Sequence, residues 1–156
     1  MVSIVAPGYK KLALDHVVLD YNGTLARDGQ LLSGAQKLLN AVAAQFKLHV
    51  VTADTFGGAR SGLHKVRCTL TVLSDRDQAE AKRQYVRNLG SAQTVAIGNG
   101  RNDRLMVKEA ALGIAVIEKE GTAVETLLVA DIICGSALDA LELLLNPKRL
   151  VATLRS

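Results

Sequence analysis

The 156-residue sequence has no tryptophan, three tyrosines and two phenylalanines. So few aromatic faces cannot build a stacking platform for bases or sugar rings. Its two cysteines, Cys68 and Cys134, sit in separate apolar stretches, and neither has a Cys or His partner at metal-ligand spacing. They read as buried free thiols of a reducing compartment, not as a disulfide or zinc framework. No apolar run reaches the roughly 18 residues of a membrane span, and no signal-like or polybasic leader is visible. These absences predict a cytoplasmic protein that does not contact membranes. Excess charge of one sign is small as well: 19 Lys and Arg against 15 Asp and Glu give a net charge of +4. The basic side chains are scattered, which favours a small anionic substrate over nucleic acid.

What is present is a globular composition, 49% hydrophobic and 22% charged, at the length of one domain. Strand-like and helix-like patterns alternate. Residues 13–19, 47–52, 68–73, 93–97, 113–117 and 129–134 read as strands, and 33–45, 57–65, 77–89, 103–111 and 122–128 as helices. Ala35, Leu38, Leu39, Val42 and Ala43 recur at helical spacing, and Gly90 caps the 77–89 helix. The tail, 136–156, reads as helix broken at Pro147. With no hairpin signal, the alternation predicts an α/β fold with a parallel sheet covered on both faces. No linker or repeat divides the chain, so residues 1–156 form a single domain.

Four places carry the chemistry. Asp20 closes the apolar run Val17-Val18-Leu19, and the turn-forming Asn22-Gly23 follows. Thr52 ends the second strand, Lys82 lies early in a helix, and Asn99 through Asp103 follow the fourth strand. Singly, Asp20 and Thr52 would be turn or cap residues and Lys82 a solvated side chain. Jointly they belong where parallel sheets bind ligands, at the carboxyl ends of strands.

This set resembles the haloacid dehalogenase-like superfamily, whose four motifs occur here in order over about residues 13–135. They are Asp20-Tyr21-Asn22-Gly23-Thr24, then Thr52, Lys82, and Gly98-Asn99-Gly100-Arg101-Asn102-Asp103. The nearest flavour is the phosphorylation domain of P-type ATPases and their small soluble relatives, whose tail is similar to residues 143–150. The resemblance implies a Rossmann-like three-layer α/β/α core and a Mg²⁺-dependent hydrolase or phosphatase of phosphoric monoesters or acyl phosphates. Asp20 would be the nucleophile, forming an aspartyl-phosphate, with Asn22, Thr52 and Lys82 completing the catalytic set. Thr52, Ala53, Lys82 and Gly23 would hold the phosphate. Asp20, the Asn22 carbonyl, Asn99 and Asp103 would hold Mg²⁺, Asn102 would orient its neighbours, and Gly100 would allow a tight turn. The substrate would be a small phosphorylated molecule or a phosphoprotein.

Two residues depart from the superfamily pattern. Asn22 stands where most phosphatases carry the acid that protonates the leaving group, and a carboxamide transfers no proton at neutral pH. Asn99 removes a negative charge beside the metal. The expectation is slow hydrolysis with a persistent phosphoenzyme, Asp28 and Asp54 being the nearby carboxylates that could stand in. The alternative is a catalytically weak or inactive regulatory module that keeps the phosphate pocket. The gaps after Thr24 and Leu73 are too short for a cap domain, so the site is open to large substrates or closed by a second subunit in a homo-oligomer. Leu150, Val151 and Leu154 would serve such assembly or, more plainly, the core. His16, His49 and His64 lack hydrolase or zinc partners and read as structural. Gly57-Gly58 lacks a P-loop pattern, and Arg60, Lys65 and Arg67 read as a solvated patch.

Overall fold

A computed structural model describes residues 1–53 and 57–156. The chain begins with β1 (Val2–Val5) and β2 (Lys11–Leu14), then β3 (His16–Asp20) and the short pair β4 (Ala26–Arg27) and β5 (Gln30–Leu31). There follow α1 (Ala35–Ala43), β6 (Lys47–Thr52), α2 (Gly58–Gly62), β7 (Thr69–Val72) and α3 (Gln78–Leu89). The second half runs through β8 (Thr94–Gly98), α4 (Arg104–Glu109), β9 (Leu112–Val116), α5 (Val124–Val129) and β10 (Ile132–Cys134) to α6 (Ala137–Leu145) and α7 (Pro147–Leu154).

Six strands form one sheet in the order β10-β9-β8-β3-β6-β7, and every pair in it is parallel. From β3 the chain moves outward through β6 and β7, then crosses back to β8 on the other side. The order therefore reverses beside β3, and such reversals open a crevice at the carboxyl edge of a parallel sheet. Asp20 stands at that edge.

The pleat divides the core into two. Val17, Leu19, Val50, Val95 and Ile97 meet Leu39 of α1 and Leu141 and Leu144 of α6 on one face. Val18, Val51 and Ala96 meet Val86 of α3 and Met106 and Val107 of α4 on the other. Strands buried on both sides read as unbroken apolar runs, which is why these segments stand out in the sequence. Helix ends follow local rules: the Ser136 hydroxyl accepts the Asp139 N–H at 3.0 Å to start α6, and Pro147 takes the first turn of α7. Gly90, at φ +103, ends α3.

The three-layer parallel architecture agrees with the sequence expectation, but the hairpins were not expected. β1 pairs antiparallel with β2, and β4 with β5. The apolar stretch 13–19 is consequently two elements: Lys11–Leu14 closes the first hairpin, Asp15 breaks the run, and His16–Asp20 enters the sheet. Strand propensity was legible there, but the partner of each half was not. The first hairpin rests on the end of the chain, where Ser156 N–H donates to the Pro7 carbonyl at 3.0 Å. Leu150 is fully buried, with Val151 and Leu154 packed against the same core, so this stripe belongs to the interior. Cys134 is buried, whereas Cys68 is only half-buried. His49 lies between His16 (3.1 Å) and the Tyr85 hydroxyl (3.0 Å), consistent with a structural role. Among the described residues no cap domain interrupts the connections: residues 73–77 alone join β7 to α3, and the small β4–β5 hairpin follows β3. Among the described residues no helix is long and apolar enough to cross a membrane.

Gly113 of β9 faces α4 so closely that a Cβ would collide with the Val107 carbonyl oxygen and meet Val107 Cγ1 at 2.8 Å. Gly113→Ala should cost about 1–3 kcal/mol, the usual range for an overpacked core. Urea denaturation at neutral pH measures the loss.

Candidate active site

The loop after β3 is folded by its own backbone. Tyr21 carbonyl accepts the N–H groups of Thr24, Leu25 and Ala26, and Gly23 turns the chain at φ +78. The Tyr21 ring is fully buried, and its hydroxyl donates to the carbonyls of Gly29 (3.1 Å) and Gly58 (3.3 Å). This side chain ties the β4–β5 turn and α2 to the strand end that carries Asp20.

Behind Asp20 lies a buried charge cluster. Lys82 Nζ donates to Asp20 Oδ1 and to Asp103 Oδ1, both at 2.7 Å. The other oxygen of Asp103 accepts the backbone N–H groups of Asn99 (3.0 Å) and Gly100 (2.9 Å). Asp103 thus reaches back under its own loop, which only glycine at position 98 permits: a Cβ there would lie 2.5 Å from the carboxyl carbon. Thr126 donates to the Gly100 carbonyl at 2.6 Å and fixes the loop from α5.

In front of Asp20 is a cavity of about 460 Å³. Asp20, Asn22, Thr52 and Ala53 line one part of it, and Asn99, Gly100 and Asn102 another. Gln78 joins from the start of α3, and Glu120, Gly121 and Ala123 from the β9–α5 connection. Asn99 is held with its Nδ2 on the Gly121 carbonyl (3.0 Å) and its Oδ1 toward the Thr24 hydroxyl (3.2 Å), which is also 3.4 Å from Asp20 Oδ2. Asn102 donates to Gln78 at 2.7 Å.

The predicted residues therefore gather, though at two depths. Asp103 and Lys82 do not line the cavity; they are 0% and 1% exposed and face Asp20 from behind. Asp103 Oδ1 accepts from Lys82, and its Oδ2 accepts from the loop backbone. The Lys82 ammonium joins the two carboxylates below the cavity floor. Asp28 sits in the β4–β5 turn at φ +52, away from the cavity. Asp54 lies outside the described residues. Thr24, Gln78 and Glu120 were missed. Gln78 was findable, being one helical turn before Lys82 and so on the same face.

One ammonium between two carboxylates leaves a net negative charge out of water. Burial, then the Asp103 charge, raise the Asp20 pKa from 3.8 to about 7, with Lys82 opposing them. Burial works against the Lys82 charge, but the two carboxylates outweigh it and hold its pKa above the ordinary value. Excess negative charge beside carboxylate and amide oxygens fits a hard divalent cation, for which Asp20 and Asn99 Oδ1 are suitable donors. Among the described residues no group of three His, Cys, Asp or Glu side chains gathers to hold a metal, so amide oxygen would have to contribute.

Because the folded Asp20 pKa is raised, its stabilising contribution is present below pH 3.8 and is lost as pH rises toward 7. Asp20→Asn removes that buried charge while sparing the Lys82–Asp103 pair. Without metal, the variant should melt roughly 2–8 °C above the parent at pH 8, the gain shrinking toward pH 4. Calorimetry across that pH range checks it; a gain independent of pH would contradict the assignment.

No family model matches the sequence. An uncharacterised protein of Methanocaldococcus jannaschii is 54% identical over 61 residues, which are 39% of this chain and 66% of that relative, just under two thirds of its length. Among solved structures, the 3-deoxy-D-manno-octulosonate 8-phosphate phosphatase of Moraxella catarrhalis, in complex with magnesium, phosphate and the sugar acid, superposes with a TM-score of 0.66. It is 19% identical, with 91% of this chain and 94% of that one covered. The cobalt-bound octulosonate 8-phosphate phosphatase of Haemophilus influenzae gives 0.71 at 13% identity over 92% and 94% of the two chains. A zinc-transporting P-type ATPase gives 0.58 at 23% identity, over 78% of this chain but 20% of that much longer one. Sheet order, carboxyl-edge cavity and these superpositions agree: the chain has the fold of the haloacid dehalogenase-like hydrolases.

Proposed function

We propose that this protein is a divalent-cation-dependent phosphohydrolase that works slowly through a phosphorylated Asp20. The carrying observation is the Lys82 bridge, which fixes one oxygen of Asp20 and leaves the carboxylate at the floor of a polar cavity. The octulosonate phosphatases that share the fold support the reading, one in complex with magnesium and phosphate and one in a cobalt-bound form. Mg²⁺ is the cation proposed, held by Asp20, the Asn22 carbonyl and Asn99, while Asp103 anchors Lys82 and the loop. When bound it would neutralise charge between carboxylate and phosphate.

Asp20 attacks phosphorus in line with the leaving oxygen. Thr52 hydroxyl and the Ala53 N–H receive the phosphate oxygens, and Gly23 lets the backbone come close. Gln78 fixes Asn102 on the opposite wall. Asn22 lines the cavity but gives no proton, so the departing oxygen leaves as an anion. Acyl phosphates, whose leaving carboxylates need no proton, should outrun alkyl phosphates; the phosphoryl donor is a small phosphorylated molecule or a phosphoprotein.

Two carboxamides, Asn22 and Asn99, where acids would speed turnover favour a second reading, a regulatory module that binds phosphate without hydrolysing it. Incubation with Mg²⁺ and acetyl phosphate, followed by acid quench and intact mass, separates the two. A phosphoryl adduct lost in Asp20→Asn and prevented by EDTA is expected. Asn22→Asp should raise turnover by about 10²–10⁴, the usual worth of a placed proton donor. Absence of adduct and turnover in both the parent and Asn22→Asp would leave the binding module.

A further inference from the structure

We propose that Glu120 is a catalytic carboxylate of this cavity, the base that takes a proton from the water hydrolysing phosphoryl-Asp20. The inference rests on the function proposed above and adds to it the residue that ends the cycle.

Of the described residues lining the cavity, two carry carboxylates, Asp20 and Glu120. If Asp20 carries the phosphoryl group, Glu120 is the remaining anionic base among the described lining residues. Its place is built. Gly121 N–H donates to the Glu118 carbonyl at 2.9 Å, closing a tight turn with Glu120 next to its end. Asn99 grips the turn from both sides, donating its Nδ2 to the Gly121 carbonyl at 3.0 Å and accepting the Ala123 N–H at its backbone carbonyl at 2.8 Å. The Glu120 carboxylate lies against Gly23, the residue after Asn22, so closely that a Cβ on Gly23 would collide with Oε2.

Two neighbouring described acids are committed elsewhere. Glu118 accepts the Ala137 N–H at 2.6 Å at the start of α6, and Glu125 pairs with Arg101 and Arg104. Glu120 has no hydrogen bond or ion pair among the described residues. An acid held over a cavity with no structural partner is available for proton transfer.

The step balances without another reactant. Water oxygen forms a bond to phosphorus as the bond between phosphorus and the Asp20 oxygen breaks. Asp20 regains its carboxylate with that electron pair, inorganic phosphate departs, and the water proton passes to Glu120 and then to solvent.

The test compares wild type with Glu120→Gln, an exposed isosteric change, using Mg²⁺ and acetyl phosphate with rapid quench and intact mass. Adduct formation should be unchanged within about twofold while its decay slows roughly tenfold or more, toward the range usual for a general base. Decay equal to wild type, or formation and decay falling together, would overturn the role of Glu120 while leaving Asp20 as acceptor. An adduct absent from both proteins would overturn the Asp20 reading and this inference with it.

Discussion

The site depends on a single ammonium group. Lys82 is sealed between Asp20 and Asp103, and neither carboxylate would be tolerable at that depth without it. Truncating Lys82 leaves two uncompensated carboxylates out of water, which is strongly destabilising. The geometry around it follows. α3 must place its second turn beside the carboxyl edge of the sheet for Lys82 to reach, and Gly98 must lack a side chain for Asp103 to fold back. The loop that presents Asn99 and Asn102 is then fixed as a by-product of neutralising Lys82.

The fold divides the work between two kinds of residue. Alternate side chains of β3 and β8 fill the two apolar layers and have no chemical task. Polar residues appear where the strands end and the chain leaves the layers. The order reversal beside β3 brings the ends of β3 and β8 together, though 78 residues separate Asp20 from Gly98. Thr24 joins them directly, reaching both Asp20 and Asn99.

Much of this was legible because the relevant signals are local. Strands buried on both faces give unbroken runs, so the six sheet strands and their intervening helices could be placed closely. Asp20, Thr52, Lys82 and Asn99–Asp103 stood out as polar residues at strand ends or aimed toward them. What was not legible depends on distance. Whether Lys11–Leu14 and His16–Asp20 are one strand or two is decided by their partners, and Asp15 gives little warning. Asp103 looks like a metal ligand in a linear string, and the string gives no sign that it also accepts from Lys82 and two loop N–H groups. Glu120 escaped notice because a charged residue before a glycine is the commonest of loop signatures.

The five-residue link from β7 to α3 and the tiny β4–β5 hairpin are too short to cover the mouth of the cavity. Nothing among the described residues folds over it to lower the dielectric during a reaction. Electrostatic discrimination is therefore confined to the floor, where Asp20 is 6% exposed and charges act at full strength. Under the function proposed, such a receptacle would judge a ligand by the first few atoms it inserts, and selectivity would follow from which bonds can break there.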